Sequence, residues 1–209
     1  MFDYINLTVL TLFIPTFFFV SITPGMCMTL SLSLGMSIGL KRTIYMMYGE
    51  LLGVAIVASF SAIGVSAIML TYPSMFIVLK YLGGAYLIYL GVNMWLSKGK
   101  MALNLEGCDL QISNKKLAFQ GFITAIANPK GWAFFISLLP PFIDDNLPFT
   151  PQLVVLILMI LLLEFLSLII YATGGVSLRK LLQNSSNVKL LNKIAGSMMI
   201  GIGLWLAFG

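Results

Sequence analysis

An apolar stretch of this 209-residue chain is interrupted by three consecutive polar or helix-breaking residues, Asn128, Pro129 and Lys130. A lysine near the centre of a bilayer costs roughly 2.5–3.5 kcal/mol, and a proline removes one helical hydrogen bond. Lipid tolerates irregular backbone only where protein or a water-filled cavity covers it. The motif therefore predicts an internal binding site. Asn128 is expected to cap a helix that restarts at Pro129, and the N-terminus of that helix would attract an anion.

Two carboxyl groups also lie within apolar stretches. Glu50 stands between Gly49 and Gly53, whose small size lets another helix come close and cover the carboxyl, and Glu164 stands in an aliphatic run. Ionisable residues inside a membrane usually mark substrate or proton pathways. The structural alternatives stay open at this point, because Lys130 could simply neutralise Glu164, and either acid could be a hydrogen-bonded interior residue.

A second helix break is predicted at Thr23, Pro24 and Gly25. Residues 4–40 contain no charge, yet a straight helix of that length would overshoot a hydrocarbon core of about 30 Å. We expect one half to end near Ile22 and the other to run from Met26 toward Gly39. Like the first break, this one is a candidate wall of the site.

Counting along straight helices from the basic residues estimates how deep each group lies. Pro24, Lys130 and Glu164 come out roughly 20–25 Å from the inner boundary, whereas Glu50 comes out only about 12 Å deep. The sequence thus predicts a layer with one base and one acid, and a second acid below it.

Composition fixes the class of protein. The chain is 59% hydrophobic and 9% charged with a mean hydropathy of +1.00, whereas soluble domains carry about 25% charged residues. We predict an all-α polytopic membrane protein, with the N-terminus retained as part of the first span and the lipid bilayer as its surroundings. The net charge of +5 lies mostly between apolar runs, so nucleic-acid binding is not expected.

The expected architecture is one transmembrane domain, 1–209, with six helical spans. They are placed at about 4–40, 43–70, 76–96, 117–140, 151–178 and 190–208. Ten of the twelve basic residues fall in the first, third and fifth loops: Lys41, Arg42, Lys98, Lys100, Lys115, Lys116, Arg179, Lys180, Lys189 and Lys193. By the positive-inside rule these loops are cytoplasmic. Both termini and the loop containing Asp144 and Asp145 would then face outward.

An internal repeat is indicated by paired landmarks. Gly84 and Gly91 recur after 112 residues as Gly196 and Gly203, Pro24 recurs near Pro129 at an offset of 105, and Glu50 near Glu164 at 114. Three spans are an odd number, so the halves would be inverted: repeat one at about 1–97, a cytoplasmic loop at about 98–116, and repeat two at about 117–209. In secondary transporters built this way, proline-broken helices mark the substrate site.

These motifs resemble the LysE/RhtB family of bacterial amino-acid exporters over nearly the whole chain. The matching features are Thr23-Pro24-Gly25, Gly35, Gly39, Gly49-Glu50, Gly53, the block from Tyr81 to Gly91, Asn128-Pro129-Lys130, Phe134-Phe135, Pro141-Phe142 and the glycine-rich last span. Two positions depart from the family pattern. Met26 stands where the family commonly has proline, and Glu50 where it commonly has aspartate.

The resemblance implies amino-acid efflux across the bacterial inner membrane, driven by the proton gradient, with no enzymatic activity and no cofactor. On this view the substrate carboxylate meets Lys130 and the helix start at Asn128-Pro129, with Thr23, Pro24 and Gly25 also at the site. The substrate amino group meets Glu50 or Glu164, one of which also carries the proton. The sequence leaves open whether the protein forms a homo-oligomer through its glycine faces.

Two other functions were weighed. A membrane thiol–disulfide carrier would use Cys27, three residues after Pro24, but it needs a second membrane-embedded thiol, and Cys108 falls in the third loop. A metal-ion carrier would need several carboxylates, histidines or cysteines together, whereas this chain has no histidine and places Lys130 centrally. We therefore predict no metal site.

Overall fold

The computed structural model describes residues 7–96, 112–144, 146–174 and 185–208, and these residues form α-helices joined by short turns. The helices are α1 (Leu7–Ile22), α2 (Met26–Ile38), α3 (Leu40–Thr71), α4 (Pro73–Leu96), α5 (Asn114–Ile126), α6 (Pro129–Leu138), α7 (Phe149–Thr173) and α8 (Ser185–Phe208). A single 3₁₀ turn, Pro140–Phe142, follows α6. The all-α class predicted from composition is confirmed for these residues.

Within the described residues, two helical segments are long and apolar enough to cross a membrane on their own, Leu40–Val65 and Phe149–Thr173. A third span results if the bent pair Thr11–Ile22 and Met26–Ile38 is counted as one, and its halves meet at 59°. The predicted break between Ile22 and Met26 is thus confirmed. The chain is a membrane protein whose first apolar run is split where Pro24 and Gly25 interrupt it.

Several residues assigned to loops lie instead in helices. Gly39 reverses the chain by itself with a φ of 76°, a conformation that glycine adopts readily, so α3 begins at Leu40. Lys41 and Arg42 therefore lie in its first turn, where Arg42 donates to the carbonyl of Ile112. The same correction applies to four lysines: Lys115 and Lys116 open α5, and Lys189 and Lys193 lie in α8. The remaining basic residues of those loops, Lys98, Lys100, Arg179 and Lys180, lie outside the described residues, as does Asp145.

Glycines let the backbones of α3 and α5 touch. A Cβ on Gly49 would lie 1.7 Å from the carbonyl oxygen of Ala118, and one on Gly53 would lie 3.0 Å from that of Phe122. Both contacts share nearly the same sequence offset, so the two helices run parallel. In the other direction, a Cβ on Gly121 would lie 2.0 Å from the carbonyl oxygen of Met46. This seam fixes α3, and with it Glu50, against α5.

The four glycines that suggested a repeat pack against one another. A Cβ on Gly84 would lie 2.8 Å from the carbonyl oxygen of Gly203, and one on Gly91 would lie 2.6 Å from that of Gly196. Because residue numbers rise on one helix as they fall on the other, α4 and α8 are antiparallel. Small residues at such positions are typical of helices that pack closely in membranes.

The turn between α6 and α7 is held by the buried side chain of Gln152. Its carboxamide accepts from the backbone N–H of Asp144 at 2.8 Å and donates to the carbonyls of Asp144 and Leu147. The Asp144 carboxylate accepts from the backbone and the side chain of Asn146, which holds its pKa below the usual value. An ionised side chain of this kind indicates that the turn lies at an aqueous boundary of the membrane.

The tight α3–α5 seam predicts a large effect of a single methyl group. Gly49→Ala would force the two helices apart, so we expect it to destabilise the protein by about 1–3 kcal/mol or more. Gly64→Ala is the matched control, because a Cβ there meets nothing within 4 Å and alanine is the better helix former. Thermal unfolding in detergent would measure both. Equal midpoints for the two variants would contradict the close seam.

Candidate functional site

A cavity of about 50 Å³ lies between the two helix breaks and the middle parts of α3 and α7. A single water needs roughly 10–15 Å³ of such space, so the cavity has room for several waters. Gly25 adds backbone, and polar side chains reach it from α1, α2, α3, α6, α7 and the two breaks: Ser21, Thr23, Cys27, Glu50, Asn128, Lys130 and Glu164. It is the place in the described structure where the ionisable membrane residues meet.

Six of the eight residues expected at the site line this cavity: Thr23, Gly25, Glu50, Asn128, Lys130 and Glu164. The two prolines, Pro24 and Pro129, do not, and Pro129 is exposed on the helix bundle. The two prolines act instead through the backbone. Each interrupts a helix, and the neighbouring residues turn toward the cavity.

Lys130 reaches across the cavity to the end of α1. Its ammonium donates to the carbonyl oxygens of Val20 at 3.0 Å and Thr23 at 3.2 Å. The last carbonyls of a helix have no partner within that helix, and a cation there also suits the helix dipole. Lys130 therefore caps α1. A second cap comes from α7, where the Tyr171 hydroxyl donates to the carbonyl of Ile22 at 3.0 Å.

Asn128 joins the two breaks. Its side-chain oxygen accepts from the backbone N–H of Lys130 at 3.1 Å, so the capping role predicted for it is confirmed. Its side-chain nitrogen lies 3.7 Å from the sulfur of Cys27, within hydrogen-bond distance for a sulfur acceptor. The N–H of Gly131 turns back to the Asn128 carbonyl. The start of α6 thus uses its own donors internally.

The start of α2 is different. Gly25 precedes this helix and supplies no side-chain cap, so the first N–H groups of α2 lack the acceptor that Asn128 provides for α6. The ammonium of Lys130 is close by, because a Cβ on Gly25 would lie 3.8 Å from it. Gly25, Cys27 and Met28 all line the cavity. A positive charge and an uncapped helix N-terminus therefore stand side by side.

Glu50 is fully buried, and neither of its carboxyl oxygens has a hydrogen-bond partner among the described residues. It faces Glu164 across the cavity, and the two carboxyl groups are close enough to interact electrostatically. The predicted separation in depth was wrong, because counting residues measures distance along one helix. That count assumed straight helices, whereas the chain bends between α1 and α2 and between α5 and α6, and Glu50, Lys130 and Glu164 line one cavity.

Glu164 has neighbours that Glu50 lacks. The Ser21 side chain lies beside its carboxyl, and the charge of Lys130 acts on it. The direct partners of the Lys130 ammonium are nevertheless carbonyl oxygens rather than this carboxylate. A simple buried ion pair between Lys130 and Glu164 is therefore not what the structure contains.

Sequence reasoning missed Ser21 and gave Cys27 only a thiol-exchange role. Both could have been found by examining each polar side chain within one turn of a predicted helix break. Cys27 is a free, buried thiol, and Cys108 lies outside the described residues. Among the described residues, no three His, Cys, Asp or Glu side chains are grouped so that they could hold a metal ion.

Comparisons with known proteins agree on one family. A family profile described as LysE type translocator matches residues 18–209. The chain is 25% identical to a homoserine/homoserine lactone efflux protein of Salmonella typhimurium, over 90% of each protein. It is 25% identical to a leucine efflux protein of an Enterobacter species, over 91% of this chain and 90% of that protein. An uncharacterised membrane protein of Pseudomonas aeruginosa is 31% identical over 76% of each. No solved structure matches the chain.

The caps on α1 predict a ranking of two variants. Lys130→Met leaves two buried carbonyls without a charged donor and removes the charge that balances Glu164, so we expect a loss of about 3 kcal/mol. Tyr171→Phe removes one neutral donor and should cost about 1 kcal/mol. Thermal unfolding in detergent would rank them, with Tyr48→Phe at an exposed position as the control. A Lys130→Met variant as stable as the control would contradict the capping role.

Proposed function

The chain belongs to the LysE type translocators, a family of exporters rather than enzymes, and from that premise we propose that it exports an amino acid across the bacterial inner membrane in exchange for protons. The single observation that carries the proposal is the cavity in which Lys130 meets Glu50 and Glu164. An α-amino acid carries one positive and one negative group, and this cavity offers a partner for each. Relatives named for homoserine and leucine efflux support the amino-acid class.

We assign the substrate carboxylate to Lys130 and the start of α2. An ammonium has three N–H donors, and two of those on Lys130 go to the carbonyls of α1, which leaves one for a ligand. The uncapped N–H groups after Gly25 lie beside it and would also stabilise an anion. This refines the expectation from sequence, since Asn128 already occupies the donors at the start of α6.

We assign the substrate ammonium to Glu50 and the coupling proton to Glu164. Glu50 has two buried oxygens with unused capacity, which a substrate ammonium would fill. Glu164 lies across the cavity within electrostatic reach of both Glu50 and Lys130, so its charge responds to what occupies the site. Protonation of Glu164 from the proton-rich outside would weaken the hold on the substrate, and release of that proton to the cytoplasm would reset the carrier.

Two inverted repeats within a single domain, 1–209, are the architecture we propose. Helix α4 (Pro73–Leu96) and helix α8 (Ser185–Phe208) each have 24 residues, with both ends offset by 112. Adding 112 turns Gly84 into Gly196 and Gly91 into Gly203. The contact of Gly84 with Gly203 and that of Gly91 with Gly196 are therefore equivalent, as they would be under a two-fold axis. The broken pair α5 and α6 would then correspond to α1 and α2.

For orientation we propose six spans, with both termini outside and the segment that joins α4 to α5, which contains most of the predicted 98–116 loop, in the cytoplasm. Parallel helices α3 and α5 both begin with basic residues, and Arg42 contacts the carbonyl of Ile112 just before α5. The first basic cluster and the end of the 98–116 loop therefore lie at the same end of the bundle. The positive-inside rule makes that end cytoplasmic.

Single-cysteine labelling tests the orientation. In a background with Cys27 and Cys108 replaced by serine, a cysteine at position 98 should react only with reagent that has reached the cytoplasm. A cysteine in place of the exposed Asn146 should react from outside. Labelling of both positions from the same side would contradict the six-span topology.

The two acids are separable by transport assays in inverted vesicles, where uptake corresponds to export from the cell. We expect Glu164→Gln to abolish accumulation driven by a pH gradient while sparing exchange of labelled for unlabelled substrate, because exchange needs no net proton transfer. Glu50→Gln should abolish both, because it loses the partner of the substrate ammonium. Asp144→Asn, in the outer turn, is the control and should retain both activities. Gradient-driven accumulation in both glutamine variants would show that neither acid couples transport to protons.

A further inference from the structure

We propose that the substrate is a neutral α-amino acid with an apolar side chain, and that this side chain occupies the apolar half of the cavity. The inference rests on the proposed function and deepens it by naming the substrate class. Residues that form this half, which we call the apolar subsite, are Phe17, Val54, Val57, Phe134, Phe135 and Ile160.

The apolar subsite follows from the register of four helices. On α1, Phe17 lies one turn before Ser21; on α3, Val54 lies one turn after Glu50. The pattern repeats on α6, where Phe134 follows Lys130 by one turn, and on α7, where Ile160 precedes Glu164 by one turn. Each helix thus contributes a polar residue and an apolar residue about 6 Å apart along its axis, because the two are four residues apart.

These apolar residues belong to one end of the cavity. All six are members of a single buried hydrophobic cluster, and Phe17 stacks on Phe135 with ring centroids 6.5 Å apart. Cys27 and Met28 line the rest of the cavity, the polar half that contains Glu50, Lys130 and Glu164, and they belong to a different hydrophobic cluster. A substrate held by its carboxylate and ammonium in the polar half would therefore point its side chain into the apolar subsite.

The chemistry of the apolar subsite limits what can enter. Its phenylalanine, valine and isoleucine side chains offer no hydrogen-bond donor or acceptor, so a charged substrate side chain would be buried without a hydrogen-bond partner. A hydroxyl would be penalised less, because apolar pockets discriminate weakly against a group that merely adds one. We expect leucine, isoleucine, valine and methionine to be preferred over homoserine, and lysine and glutamate to be excluded.

Further buried aromatic rings lie behind Phe17, on the side of it away from Ser21, and we infer that they close this end of the apolar subsite. Phe13 stacks on Phe17 at 4.2 Å and meets Phe142 edge-on at 5.1 Å, and all three rings are buried. A closed end sets a limit on side-chain length. Phenylalanine should therefore be a poorer substrate than leucine.

Purified protein in proteoliposomes with an imposed pH gradient provides the test, with radiolabelled leucine as probe and unlabelled amino acids as competitors. The expected result is leucine uptake that isoleucine, valine and methionine suppress and that a tenfold higher concentration of lysine or glutamate does not. Uptake of lysine or glutamate in preference to leucine would overturn this inference while the exporter function stood. If labelled leucine, homoserine, lysine and glutamate all failed to accumulate, the proposed function would fall as well.

Enlarging the apolar subsite tests its location. Ile160→Ala should raise transport of phenylalanine relative to leucine by about tenfold or more, since one methylene in an apolar pocket changes discrimination by about 10–200-fold. Leu162→Ala, on the exposed face of the same helix, is the matched control and should leave the ratio unchanged. Val57→Ala provides the same test from α3 should Ile160→Ala fold poorly. An unchanged ratio in a folded, leucine-transporting Ile160→Ala or Val57→Ala variant would overturn the assignment.

Discussion

The break in the first span creates the constraint on which the rest of the structure depends. Where α1 stops inside the membrane, its last carbonyls lose their helical partners, and lipid offers none. The ammonium of Lys130 and the hydroxyl of Tyr171 supply the missing donors from two other helices. The first break therefore depends on α6 and α7 being packed against it, which makes α1, α6 and α7 one cooperative unit.

The same constraint explains why the site lies between the breaks. Interrupted helices expose backbone groups and helix ends, and only a polar, protein-lined space can surround them. Glycines elsewhere hold the supporting helices at backbone contact, as Gly49 does against Ala118. Close helix seams thus surround a polar centre, in which both carboxyl oxygens of Glu50 have no partner at normal hydrogen-bond distance among the described residues.

Sequence reasoning reached the helix breaks and six of the cavity residues because proline, glycine and buried charge leave strong local signals. It placed Lys41, Arg42 and the lysines at 115, 116, 189 and 193 in loops because it expected a loop after Gly39, where one residue is enough to reverse the chain, and because helices extend past the apolar run. It also placed Glu50 in a separate layer from Glu164, because counting residues along straight helices ignores their bends, whereas both acids line one cavity. The sequence could not predict the carbonyl partners of Lys130, because they are backbone atoms brought together by tertiary packing.

Lys130 and Glu50 differ in what each contributes to the scaffold. Lys130 holds α1 and stands beside the proposed carboxylate position, so its loss removes a structural contact and a ligand contact together. The carboxyl oxygens of Glu50 have no partner at normal hydrogen-bond distance among the described residues, although the side chains of Cys27 and Glu164 lie beside them. Burying a carboxyl in this way costs stability. A buried carboxyl without hydrogen-bond partners is expected where the residue has been selected for function rather than for stability. Among the charged side chains Glu50, Lys130 and Glu164, Glu50 therefore fits the proposed ligand role best.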